Sequence, residues 1–255
     1  SGPKGWSYRA TNILIHGLAG LTLFGVTRQT LRRRSMVGAP VRSAGSPDSG
    51  RATLAAALAV ALLWALHPLQ TQAVTYLVQR AESLAGLLFL LTLYLFIRSA
   101  DSPHRMRWQA LSVFSCLLGM ATKEVMAATP LLVLLYDRTI VNGSFRAAWR
   151  QRKGYYLGLA SSWLVLAASV LGTKGRGGTA GFDTDVNAWH YLLTQCHAIM
   201  HYLWLAAWPH PLVFDYGTEV IREPAAVIVP AAFLLMLLVA TAWAVRRSSI
   251  WGFVG

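Results

Sequence analysis

The sequence predicts an all-α fold, a polytopic bundle of transmembrane helices with about seven crossings and one helix at the membrane surface. Of the 255 residues, 55% are hydrophobic and 13% are charged, whereas soluble domains carry about 25% charged residues. The polar residues also cluster between long apolar runs. Because a helix rises 1.5 Å per residue, about 20 residues cross the 30 Å core of a bilayer. Such runs therefore predict membrane-spanning helices.

Seven apolar runs are predicted to cross the bilayer. In chain order they are 12–27, 52–74, 83–97, 108–121, 125–137, 155–171 and 225–245. An eighth, 188–208, carries Gln195, His197, His201 and several tryptophans, which favours an in-plane helix on the outer surface. Ser1 is not a methionine, and 250–255 resembles the start of another apolar run. We therefore expect 1–255 to be one partial transmembrane domain.

Arginine-rich segments alternate with these crossings. They are 28–51, 98–107 and 138–153, followed by Arg246 and Arg247 after the last crossing. If 188–208 does not cross, they all share one side, which the positive-inside rule assigns to the cytoplasm. Most of the ten acidic residues then lie on the outer side. The alanine- and arginine-rich composition favours a bacterial inner membrane as the location.

Two further features of the composition indicate no ligand. The net charge of +13 does not predict a nucleic-acid partner, because the basic residues form no stripe interleaved with aromatic residues. Cys116 and Cys196 lie in or beside apolar runs and form no CxxC pair. They are interpreted as small buried hydrophobic residues.

The first candidate site is the segment from His67 to Glu82. His67-Pro68 ends one helix, because proline lacks an amide donor and restricts the residue before it. Arg80 and Glu82 then stand at the start of the next crossing, where a charge is costly unless it is paired or hydrated. Arg80 could bind a carboxylate or a phosphate. The alternative is an arginine that extends to the lipid headgroups.

The second candidate is Thr122-Lys123-Glu124, which lies between two apolar runs with almost no loop. This spacing predicts a tight corner that holds Lys123 and Glu124 near the outer membrane surface. Lys123 could face the same phosphate as Arg80, with Glu124 orienting it. The alternative is a solvated turn.

Three weaker patterns do not lead us to predict a metal site or a phosphate-binding loop. His197 and His201 are one helical turn apart, but no third ligand at motif spacing accompanies them. Asp183-Thr184-Asp185 is a lone DxD, and 172–178 is a basic, glycine-rich stretch that lacks the GxxxxGK[ST] pattern. We interpret the last stretch as an outer loop.

Several of these runs together resemble a known family. The runs HPLQTQAVTYLVQRAESLAGLLFLL, ATKEVMAATPLLVLLYD and YLLTQCHAIMHYLWLAAWPHPLVFDY occur in that order. They resemble the membrane half of the transmembrane-and-tetratricopeptide-repeat O-mannosyltransferases and their bacterial relatives. Tyr8-Arg9, followed by 11–16, is similar to the start of that family's second helix. The resemblance covers most of 8–255.

The resemblance implies a GT-C fold and a glycosyltransferase reaction. Such enzymes take a sugar from a polyprenyl-phosphate carrier and transfer it, often to a Ser or Thr hydroxyl of a protein acceptor, on the periplasmic or lumenal side. No cofactor is implied beyond that donor, and the partners are membrane lipids, the acceptor and other membrane subunits. By this resemblance Arg80, Lys123 and Arg9 bind the donor phosphate, and His67, Glu82 and Glu124 orient them.

The sequence departs from the family pattern in several places. The family's first helix and acidic outer loop would precede residue 1, so the general base is expected upstream of Ser1, and the tetratricopeptide half would follow 255. Gln72 stands where glutamate is expected, and Ala10 stands where proline is common. His197 and His201 lie in a segment where arginine is expected. A non-catalytic scaffold subunit derived from such an enzyme is therefore the alternative, and a transporter is less favoured because we find no internal repeat.

Overall fold

A computed structural model describes residues 5–38, 47–76, 79–172, 188–213, 216 and 220–247. All regular structure in these residues is helical, which confirms the all-α prediction. The chain divides into two compact units, Ser1–Ser169 and Val170–Gly255. We describe each unit separately.

The first unit contains the helices that carry both candidate sites. They are α1 Gly5–Gly38, α2 Pro47–Ala65, α3 Thr71–Thr75, α4 Arg80–Asp101, α5 Arg105–Thr122, α6 Thr129–Tyr136 and α7 Phe145–Gly172, whose last three residues lie beyond the end of this unit. Short 3₁₀ turns, Pro68–Gln70 and Glu124–Ala128, precede α3 and α6. A π-helical turn, Asp137–Asn142, follows α6.

The arginine-rich segments are more helical than loops between crossings would be. α1 continues to Gly38, beyond the start of segment 28–51. α7 begins at Phe145 and includes most of segment 138–153. Arginine is a good helix former, and backbone hydrogen bonds continue beyond the apolar run. The end of hydrophobicity therefore does not mark the end of these helices.

α4 is the central helix of the first unit, since it packs against both α1 and α5. Ala85, Leu88, Thr92, Phe96 and Ser99 are buried at spacings of three or four positions, as expected for one helix face. Leu93, Leu95 and Ile97 are buried as well, so the second half of α4 is covered on more than one side. Hydroxyl groups of α5 join the two helices. Ser112 donates to the Thr92 carbonyl at 2.8 Å, and Ser115 donates to the Leu88 carbonyl at 3.1 Å. Such bonds are typical of helix packing in membranes.

Three helices among the described residues are long and apolar enough to cross a membrane: Trp6–Arg34, Arg80–Asp101 and Pro224–Arg246. Ser49–Ala65 and Pro68–Thr75 are separated by a short break at which the helix axis bends by 53°. They form a fourth span if the two helices are counted as one. These helices make the chain an integral membrane protein. The predicted runs 108–121, 125–137 and 155–171 lie in or around α5, α6 and α7. Their crossing of the membrane, and the total of seven, stay predictions.

The second unit contains α8 Ala188–Ala207, a 3₁₀ turn Pro224–Val227 and α9 Ile228–Arg246. α8 packs against α9. The Ile221 amide donates to the Thr194 hydroxyl at 3.0 Å, which attaches the segment before α9 to α8. α8 covers the run predicted to lie in the membrane plane, and that placement stays a prediction.

The corner between α5 and α6 is tightly packed at Gly119. A Cβ atom there would lie 2.2 Å from Cε and 3.1 Å from Sδ of Met126, and Met126 is only 1% exposed. We expect Gly119→Ala to lower the free energy of unfolding by about 1–3 kcal/mol, because overpacking displaces a buried side chain. Denaturant titration in detergent micelles would measure this change.

Gly17→Ala is the matched control for that measurement. Gly17 lies within α1, and a Cβ there would meet nothing within 4 Å. Alanine should therefore stabilise α1 slightly, by about 0.5–1 kcal/mol. Equal effects of the two substitutions would contradict the packing argument.

Candidate functional site

The start of α4 brings together residues from three parts of the chain. α4 begins at Arg80 and carries Glu82 in its first turn. The carboxylate of Glu82 is favourable there, because the first turn of a helix has unpaired amide groups and a partial positive charge. The beginning of α1, the 67–76 segment and Lys123 all contact this end of α4.

Arg80 is held against α1. Its Nε donates to Oδ1 of Asn12 at 3.4 Å, and its guanidinium lies 5.0 Å from the centre of the Tyr8 ring. Asn12 is fully buried. Its Nδ2 donates to the carbonyls of Val74 and Tyr76, at 3.1 and 3.2 Å. One buried amide thus fixes both the guanidinium and the chain just before α4.

Glu82 faces the other way and forms an ion pair with Lys123. Both side chains are partly exposed, at 52% and 35%, so the pair contributes little to stability. The side-chain amide of Gln79 lies 3.0 Å from each carboxylate oxygen of Glu82, with its nitrogen as the donor. Lys123 itself has extended backbone after the end of α5. The ion pair therefore attaches the α5–α6 corner to the start of α4.

A cavity of about 290 Å³ lies beside this ion pair. We call it the polar cavity after its glutamine side chains, although most of its surface is apolar. It is lined by His16, Trp64, Gln70, Gln72, Gln79, Glu82 and Ser83, together with smaller apolar residues. His16 donates from Nε2 to the Ala65 carbonyl at 2.9 Å and stacks on Trp64 with ring centres 5.0 Å apart. A few convergent amides and a carboxylate beside an aromatic ring can orient a small polyhydroxylated ligand.

The structure places the six predicted site residues in different settings. Arg80 and Glu82 both lie in the first turn of α4, where Glu82 forms an ion pair with Lys123. His67 caps the first 3₁₀ turn, since its Nδ1 accepts a hydrogen bond from the Leu69 amide at 3.3 Å. Arg9 is exposed on α1, and Glu124 is exposed at the start of the second 3₁₀ turn. Their roles toward a donor phosphate stay predictions.

The prediction of site residues did not include Asn12, Tyr8 or Gln79. A signal for Asn12 existed, because a polar side chain within an apolar run is costly unless it has partners. Tyr8 and Gln79 gave no comparable signal, since both precede apolar runs and could face solvent. Their contacts with Arg80 and Glu82 depend on how α1 packs against α4.

The described part of the chain contains no group of three or more His, Cys, Asp or Glu residues that could hold a metal ion. His201 contacts the ring of Tyr216 edge-on, with ring centres 4.6 Å apart. The glycine-rich stretch beyond Gly172 and the DxD at Asp183 and Asp185 lie outside the described residues.

Comparison with known proteins confirms the resemblance drawn from the motifs. The chain is 32% identical to protein O-mannosyl-transferase Tmtc3 of Drosophila melanogaster over 145 residues, which cover 54% of this chain and 15% of that protein. It is 26% identical to protein O-mannosyl-transferase Tmtc2 of the same organism over 268 residues, which cover 97% of this chain and 26% of that protein. This chain therefore spans about a quarter or less of the length of these relatives. No family profile and no solved structure matches it.

Proposed function

We propose that this chain is part of a GT-C-type membrane glycosyltransferase. In this proposal the whole protein transfers a sugar, mannose by analogy with the named relatives, from a polyprenyl-phosphate donor to a Ser or Thr hydroxyl or another acceptor. The observation that carries the proposal is the first turn of α4, where Arg80 lies against α1 and Glu82, which lines the polar cavity, forms an ion pair with Lys123.

The start of α4 has the chemistry that a donor phosphate requires. Arg80 offers a planar fork that can bind two phosphate oxygens, and Lys123 adds a compact positive charge. Asn12 engages only Nε of Arg80, and within the described residues Arg80 makes no other hydrogen bond. The unpaired amides at the start of a helix also favour an anion.

These groups would act on the leaving group of the reaction. The acceptor hydroxyl attacks the anomeric carbon, the bond from that carbon to the phosphate oxygen breaks, and the polyprenyl phosphate leaves with the negative charge. The proton of the hydroxyl goes to a general base, which we expect upstream of Ser1. Positive groups fixed in advance at the phosphate stabilise the charge that develops in the transition state.

The polar cavity is suited to the sugar. Gln70, Gln72 and Gln79 offer donors and acceptors for hydroxyl groups, and Trp64 offers an aromatic face. Glu82 lines this cavity and also pairs with Lys123. We propose that this carboxylate keeps the ammonium of Lys123 beside the sugar phosphate.

The orientation follows from the same proposal. The start of α4 would face the periplasm or lumen, and the arginine-rich ends of α1 and α4 would face the cytoplasm. A bacterial inner membrane as the location stays a prediction from composition.

A transfer assay tests the proposed function. The full-length protein would be reconstituted in liposomes with radiolabelled polyprenyl-phosphate mannose and a Ser/Thr-rich peptide. We expect Lys123→Gln to lower peptide labelling about tenfold or more, because a charge-assisted contact with phosphate is lost. Lys153→Gln is the control, since Lys153 is an exposed lysine of α7 and should leave labelling unchanged. Equal labelling by the Lys123→Gln variant and the unmodified protein would refute this role.

The second candidate is a non-catalytic scaffold subunit. One observation favours it: Gln72, which lines the polar cavity, stands where the resemblance leads us to expect a glutamate. A scaffold would label no peptide under the conditions above with any lipid-linked sugar. Lipid-linked donor would also fail to raise its thermal stability, whereas a transferase must bind that donor.

A further inference from the structure

A second, larger cleft lies between the C-terminal parts of α1 and α4. It has a volume of about 810 Å³ and is lined by Leu18, Leu21, Thr22, Phe24, Gly25, Arg28, Gln29, Arg32, Arg33, Leu91, Tyr94, Arg98, Asp101, Ser102 and Pro103. Arg80 and Arg98 are 18 positions apart on α4, or about 27 Å along a helix. This cleft is therefore separated from the candidate site by about the thickness of a bilayer core.

The lining of the cleft changes from apolar to basic along α1. Leu18, Leu21 and Phe24 come first, facing Leu91 and Tyr94 of α4, and the arginines follow toward the helix ends. α1 approaches α4 closely here, since a Cβ on Gly25 would lie 2.7 Å from the Tyr94 ring. The cleft thus has an apolar part at the depth of lipid chains and a basic part at the depth of headgroups.

The basic part has more positive charge than its acidic neighbour can neutralise. Arg33 forms an ion pair of 2.7 Å with Asp101 and donates to the Ile97 carbonyl at 3.2 Å. Among the described residues of the lining, Asp101 is the only acidic one. Arg28 and Arg32 are exposed, and within the described part of the chain they form no ion pair.

Arg28 and Arg32 also repel one another. They are four positions apart on α1, so they project from the same face, where like charges destabilise a helix. Arg98 reaches this end of the cleft from α4, with its guanidinium 5.2 Å from the centre of the Trp108 ring. A bound anion would relieve the repulsion, and arginine forks match the oxygens of a phosphate.

We infer that this cleft binds one anionic phospholipid. The phosphate headgroup lies among Arg28, Arg32 and Arg98, and an acyl chain lies along Leu21, Phe24 and Leu91. Basic pockets between transmembrane helices are known to hold anionic headgroups, and the volume is within the roughly 300–1,000 Å³ of ligand sites. This lipid site is separate from the proposed donor site and does not depend on the proposed function.

Native mass spectrometry of the delipidated full-length protein tests the inference. Phosphatidylglycerol and phosphatidylcholine with the same acyl chains would be titrated separately. We expect one phosphatidylglycerol to bind in preference to phosphatidylcholine. The double substitution Arg28→Gln with Arg32→Gln should weaken that binding about 30-fold, since each basic residue near a headgroup contributes roughly a factor of five.

A control removes the same charge elsewhere. Arg34→Gln with Arg51→Gln changes two exposed arginines that do not line the cleft, and it should change the affinity less than twofold. Arg28→Lys with Arg32→Lys keeps the charge and should retain most of the binding. The double lysine variant replaces the same two side chains of α1 as the double glutamine variant. Binding by the lysine variant would therefore show that replacement of these side chains does not by itself unfold the protein.

Four results would overturn the inference. Equal loss in both double glutamine variants would show that only net charge matters. Equal binding of the two phospholipids would show that the arginines do not distinguish an anionic headgroup from a zwitterionic one. Full displacement of phosphatidylglycerol by inorganic phosphate would show that the apolar wall binds no acyl chain. Tighter binding of a polyprenyl phosphate than of phosphatidylglycerol would show that the cleft binds a polyprenyl lipid instead of a phospholipid.

Discussion

Asp137→Ala is expected to lower the free energy of unfolding by about 3–5 kcal/mol, the cost of leaving a buried charge without its partner. Asp137 is fully buried, and Arg152 is 5% exposed. Nη1 of Arg152 donates to both carboxylate oxygens at 3.0 Å. Tyr156 donates to Oδ2 at 2.5 Å, and Asn142 donates to Oδ1 at 2.8 Å. Removal of the carboxylate leaves all three donors without their acceptor.

Equilibrium unfolding in mixed detergent micelles would measure this effect. A double-mutant cycle with Arg152→Ala isolates the pair, because removal of both partners no longer leaves one charge buried alone. We expect the double variant to be less destabilised than the sum of the two single variants. Asp101→Ala serves as the control, since Asp101 pairs with Arg33 but is 61% exposed. A loss below about 1 kcal/mol for Asp137→Ala would contradict the burial argument.

Arg80→Gln is expected to lower the kcat/KM of sugar transfer by about 10²–10³-fold, the usual effect of removing one fixed group that stabilises transition-state charge. Arg80→Lys should recover only part of this loss, because an ammonium group lacks the planar fork of arginine. The prediction rests on the proposed function and uses the same liposome assay, with the donor concentration varied.

The stability of the Arg80 variants separates catalysis from structure. Arg80 is half-buried, and its single hydrogen bond to Asn12 is long, at 3.4 Å. Arg80→Gln should therefore change the free energy of unfolding by less than about 1.5 kcal/mol. Arg146→Gln, an exposed arginine of α7, should leave transfer unchanged. A large loss of stability without a loss of transfer would assign Arg80 a structural role.

The sequence predicted the helical class of this fold and the location of its main apolar segments. Both are local properties, since hydrophobic runs and helix-breaking residues are read along the chain. Arg80 and Glu82 are two positions apart on α4, so helix geometry alone indicates that they do not face each other. In the structure they have different partners, Asn12 for Arg80 and Lys123 for Glu82.

Partners across helices could not be predicted in this way. Asp137 is the last residue of the predicted crossing 125–137, and Arg152 lies in the basic segment 138–153. The structure buries them against each other, and backbone near Arg152 departs from helical geometry within α7. That contact depends on the π-helical turn and on the angle between α6 and α7. Hydrophobic periodicity carries no information about either.

α4 is anchored at both of its ends. Asn12 and Lys123 engage its first turn, and Arg33 engages Asp101 at its last residue. A helix of 22 residues is about 33 Å long, which is close to the hydrocarbon thickness of sterol-rich plasma membranes and several ångströms more than that of thinner membranes. Each contact is weak by itself, but together they favour a helix that keeps its full length. A thin bilayer would then thicken locally around α4, or the helix would tilt, and hydrophobic mismatch becomes a physical basis for sorting this protein among membranes.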